Sequence, residues 1–201
     1  MLAHGAGATR SHPLRKVIRL LHTALIATHV LAGTAGLVLG PLAMHQDTRR
    51  FTAGRRGTGR ASSVYRGLVL LVCASAVGLV VENRPELWWL VPVSALTYGL
   101  AVLARESAKR RFRGWVHGYA HGQGGSYIAL VTALIVVALT VDGPVTGAAQ
   151  LVPWLAPTLL GTVLIERWRR HLHSSLPVGM QDSAPPGDIA PGARHATVPA
   201  P

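Results

Sequence analysis

The chain has 201 residues, of which 49% are hydrophobic and only 14% charged, against about 25% charged in an ordinary soluble domain. Its net charge of +12 would suit a nucleic-acid binder, but the arginines bracket apolar runs instead of forming a basic face on a soluble fold, which excludes that partner. The single cysteine, Cys73, excludes an intramolecular disulfide and a thiolate metal cluster.

Mean hydropathy is +0.33, and the apolar residues come in blocks with the charges crowded between them, the pattern of a membrane protein. Residues 1–14 form a predicted disordered tail. Arg15, Lys16 and Arg19 precede the first block, about 20–44. A signal peptide would have this charged start, but the apolar run continues beyond any cleavage point near residues 32–36, which favours an uncleaved span. A polar stretch from His45 to Arg66 follows, with six arginines. Spans are then expected at about 67–81, 87–104, 118–141 and 151–168. Glu82–Glu86 and DGPVTGAAQ are the turns of one side, and Arg105–Arg113 is a basic loop of the other. Trp88 and Trp89 stand where an interfacial aromatic belt would put them. Pro153 and Pro157 interrupt the last block, so four spans are the alternative if it lies at the interface. Residues 174–201, rich in Pro, Ala and Gly, form a predicted disordered tail.

The architecture expected is therefore an all-α polytopic bundle occupying residues 15–173. With five spans, the Lys and Arg of the loops divide as six, five and four on one side and four, one and none on the other. The positive-inside rule then places the protein in the plasma membrane with the amino terminus outside and the carboxyl terminus in the cytoplasm.

The histidines are the most specific candidates for chemistry. His22 and His29 fall on one face of the first helix, about 10 Å apart along it. His117 and His121, four apart, share a face of the fourth. If the first helix runs inward, His45 reaches the depth at which the fourth helix starts, whereas His29 lies about 24 Å away. His45, His117 and His121 thus form a candidate cofactor site, for haem between facing helices or for a metal with Asp47 as a fourth ligand. A proton relay or a solute path past His29 is another reading. The plainest is that interfacial histidines hydrogen-bond headgroups, water or a neighbouring helix. Gly122, Gly124, Gly125 and Ser126 are small enough for close helix packing, within the chain or in a homo-oligomer. Arg55, Arg56 and Arg60 in GRRGTGR lack the ending of a phosphate-binding loop, but are suited to anionic lipid headgroups. No catalytic constellation is visible, so a non-enzymatic membrane protein is expected, with a haem-binding redox protein and a small-solute or proton transporter as alternatives.

Two segments carry a family resemblance. THVLAGTAGLVLGPLAM with the following RRGTGR, and Trp115, His117, Gly124, Ser126, Tyr127, Ala129, Thr132 and Ala133, resemble a family of uncharacterised bacterial membrane proteins, a domain of unknown function. Within it His29, Gly40 and Pro41 match a helix, and Arg56, Gly59 and Arg60 a turn in which Arg55 replaces a histidine. PWLAPTLLGTVLI, 153–165, is similar to its final helix. The resemblance spans roughly residues 20–170 and implies an integral helical membrane protein, with no activity attached.

Overall fold

In the computed structural model five α-helices are joined by short connections: α1 Ser11–Thr52, α2 Arg60–Asn83, α3 Leu90–Arg110, α4 Trp115–Val136 and α5 Leu151–Ser174. The structure describes residues 11–83, 87–141 and 144–177, and among them there is no strand. The rest of both expected tails, Glu86 and Asp142 lie outside the described residues. A π-helical turn, Val137–Val141, extends α4, and a short 3-10 turn, Gly147–Gln150, leads into α5. Each helix packs on its neighbour in sequence and α1 also meets α4, as short connections between antiparallel helices require.

Four helices are long and apolar enough to cross a membrane: those within Lys16–Thr52, Arg60–Glu82, Trp115–Leu139 and Gly147–Ser174. The less apolar α3 runs the same height. Trp89, just before its start, packs at a tilt against Trp154 of α5 with ring centroids 5.3 Å apart, and Arg111 just after its end donates from Nη2 to the Arg55 carbonyl at 2.7 Å. The chain is thus a multi-pass membrane protein with a basic end, holding the α1–α2 and α3–α4 connections and the close of α5.

The helix boundaries lie beyond the apolar blocks. Polar residues remain helical once outside hydrocarbon, and the segment from His45 to Thr52 contains no helix breaker, so α1 continues through it. It stops in a Schellman turn: Gly54 takes φ +76°, its N–H bonds the Phe51 carbonyl at 3.0 Å, and the Arg55 N–H bonds the Arg50 carbonyl at 2.9 Å. Likewise α2 begins at Arg60, and α5 continues to Ser174 as one helix through Pro153 and Pro157.

The interior is built from small residues. On α1, Ala32, Gly36, Gly40, Ala43, Asp47 and Phe51 fall at three- and four-residue intervals and are all buried, the stripe expected of one helical face. On α3 the buried positions are Thr97, Ala101, Ala104, Ser107 and Ala108. Against them lies Gly122, where a Cβ would stand 2.6 Å from the Ala104 nitrogen and the Leu100 oxygen. The two backbones touch there, the close approach that glycine permits in helix packing. Gly124 seats Ile165 of α5, and Gly125 seats Leu100 of α3. These glycines serve contacts with α3 and α5 of the same chain.

Candidate functional site

Asp47 is the hub of the basic end. Its side chain is fully buried, a costly position for a carboxylate without donors. Three converge on it: the Gly59 N–H reaches Oδ1 at 2.6 Å, and the Ser62 and Tyr119 hydroxyls donate to Oδ2 at 2.5 and 2.9 Å. Gly59 directly precedes the first residue of α2, where a negative charge meets the positive end of the helix dipole. With three donors taken up, Asp47 holds α1, α2 and α4 together. The expected role of Asp47 as a metal ligand does not fit this arrangement.

Beside it Phe51 packs edge-on against Trp115 and Tyr119, with ring centroids 5.2 and 4.9 Å away. The Arg111 guanidinium lies over the Trp115 ring at 4.6 Å, a cation–π contact. Burial, with Arg56 close by, lowers the pKa of Arg111 below the ordinary guanidinium value, yet arginine keeps its charge at neutral pH. Arg111 adopts a left-handed backbone at φ +47°, a conformation disfavoured for a side chain with a Cβ. Its bond to the Arg55 carbonyl ties the loop GRRGTGR to α3. The expected lipid-phosphate residues Arg55, Arg56 and Arg60 are all exposed at this end.

One step deeper, Gly40 and Pro41 form a seat for Tyr127. Proline at 41 removes the N–H that would have bonded the Leu37 carbonyl, and the Tyr127 hydroxyl donates to that freed carbonyl at 3.2 Å. A Cβ at Gly40 would lie 2.5 Å from the Tyr127 ring. Next to it Ser126 gives its proton to the Gln123 carbonyl at 2.9 Å, which leaves Tyr65 to donate to Ser126 at 3.1 Å. The two segments singled out by their motifs thus meet in space.

The histidines part company. His117 and His121 stack with ring centroids 3.9 Å apart, and His121 Nδ1 bonds the His117 carbonyl of the same helix at 3.1 Å. His45 is exposed on α1. Among the described residues no group of three or more His, Cys, Asp or Glu is placed to hold a metal ion. The expected metal set of His45, His117 and His121 is therefore not assembled. The i, i+4 spacing fixed the pair, but one apolar turn of α1 decides which face His45 takes, and the buried stripe through Ala43 and Asp47 leaves it outside. His29 lies within bonding distance of the Val72 carbonyl and the Ser75 hydroxyl of α2, at 3.2 and 3.1 Å, which makes it a tie between helices.

Between α1, α4 and α5 lies a cavity of about 890 Å³, walled by Pro41 and Met44, Ile128 and Ile135, and Ala156 and Leu160. This volume is within the ~300–1,000 Å³ range of small-molecule sites. It lies where α5 packs along α4 and meets α1 near the basic end, through the Trp168 Nε1–H that donates to Thr48 at 3.2 Å. On the α5 wall the lining residues Leu160 and Leu164 are 68% and 66% exposed, so the cavity opens sideways. Tyr127 and Trp168 are the lining side chains with hydrogen-bond donors, and both donors are engaged. Nothing in the sequence alone signalled this space; the prolines and Gly161 are its nearest traces.

No family model, no curated protein and no solved structure matches the chain.

Proposed function

We propose that this chain is a non-enzymatic integral protein of the plasma membrane that binds a lipophilic molecule, with its amino terminus outside and its carboxyl terminus in the cytoplasm. The observation that carries the reading is the apolar cavity between α1, α4 and α5, open to the side where lipid chains lie. From Val152 to Trp168 it follows α5 for about 24 Å, longer than the ~15 Å hydrocarbon half-thickness of a bilayer. That shape favours a long chain over a compact solute. The titratable side chain of the lining, Tyr127, has its hydroxyl engaged on the Leu37 carbonyl, which favours binding over catalysis. The arginine-rich end belongs on the cytoplasmic side by the positive-inside rule.

A polyene fatty acid whose emission rises in apolar surroundings tests the reading on delipidated protein in detergent. Saturable binding is expected, with Ala156→Phe, which fills the cavity, weakening it at least tenfold. Equal binding by the filled variant would place the probe elsewhere and overturn the reading.

A further inference from the structure

The cavity ends at Trp168, and both helices that bound it there carry exposed cationic residues near that end. On α1, His45 lies one turn beyond the lining residue Pro41, and Arg49 one turn beyond His45. On α5, Arg167 lies three residues beyond the lining residue Leu164, and His171 a turn further. All four side chains are exposed.

The neighbouring charges are not equivalent. Glu166 holds Arg169 at 2.7 Å and Arg170 at 2.8 Å. Among the described residues neither Arg49 nor Arg167 has an ion-pair partner. Arg49 and Arg167 are therefore uncompensated cations on the two helices that bound one end of a long apolar cavity whose own donors are occupied. A molecule complementary to both parts has an extended hydrocarbon chain and an anionic head that can accept forked guanidinium bonds. A bare hydrocarbon would leave the cations unused, and a free phosphate would leave the cavity unused.

We infer that the cavity holds one acyl chain of an anionic glycerophospholipid from the bilayer, with the headgroup phosphate between Arg49 and Arg167. This rests on the cavity being a lipophile site, and adds the selection by headgroup. An arginine near an anionic surface contributes about a fivefold preference, so two give a preference above about tenfold over a zwitterionic lipid of the same chains.

The test uses the full chain in vesicles of equal phosphatidylglycerol and phosphatidylcholine. After extraction and extensive washing in detergent, the lipid retained per chain is identified by mass spectrometry. The wild type is expected to keep about one phosphatidylglycerol, enriched about tenfold or more. Arg49→Gln with Arg167→Gln should retain lipid with the enrichment lost, and Ala156→Phe should retain none. Leu160→Trp serves as a second filling variant if Ala156→Phe loses helical content, and Leu159→Phe, away from the lining, should match the wild type. Equal retention of both lipids by the wild type would overturn the headgroup inference and leave the cavity reading standing. Absence of retained lipid from the wild type would remove both. A dimer that fills the cavity with a second copy would also overturn it.

Discussion

Asp47 is the residue on which the basic end depends. Replacing it with Asn keeps the volume but turns one acceptor into a donor, facing hydroxyls and an N–H that already donate. Hydrogen bonds to a buried charge contribute about 1.5–3 kcal/mol each, so Asp47→Asn should lower stability by at least about 2 kcal/mol. Thermal unfolding in detergent, followed by helical signal, checks this; an unchanged midpoint would mean that the three donors find other partners. Tyr127 makes a second, sharper case. Tyr127→Phe removes the donor that serves the Leu37 carbonyl, and hydrogen bonds between membrane helices average about 0.6 kcal/mol with a maximum near 1.7. Pro41→Ala restores the missing N–H, so Tyr127→Phe should cost less in that background. A double-mutant cycle measures the coupling, and additive effects would show that the freed carbonyl is not what the hydroxyl serves.

At the scale of helices, the contact of α3 with α4 is set by backbone approach. Gly122→Ala places a Cβ 2.6 Å from two backbone atoms of α3, and overpacking of this kind costs about 1–3 kcal/mol. Gly99→Ala on α3 meets nothing within 4 Å and should be neutral, or stabilising by up to about 1 kcal/mol through its helix preference. Midpoints that fall equally in both variants would contradict the assignment of the close contact to Gly122. The small residues of α4 were legible in the sequence as packing positions. Their partners were not, because a small side chain states that something approaches without stating what does.

For the whole molecule, the segregation of charge makes orientation testable. In a Cys73→Ala chain, a cysteine at Ala53 in the α1–α2 connection should react with a membrane-impermeant thiol reagent only after cells are opened. One at Ala148 before α5 should react in intact cells. The reverse pattern would invert the proposed topology. Both positions are exposed, so labelling reports the side of the membrane and not burial.

Charge blocks, apolar blocks and glycine spacing are local properties, and they suffice for the membrane setting, the helical class, the basic side and the close-packing face of α4. The continuation of α1 to Thr52 was hidden because apolarity marks what hydrocarbon covers, while helix formation ends only at Gly54. The convergence on Asp47 joins it to Tyr119, 72 residues away, and depends on which turn of each helix reaches that depth. The pairing of Tyr127 with the carbonyl freed by Pro41, and the separation of His45 from His117 and His121, depend on the same registers. The cavity is a space left where α5 stands away from α1. Tertiary structure alone decided these, because they follow from the relative rotation and height of whole helices, which one-helix periodicity does not contain.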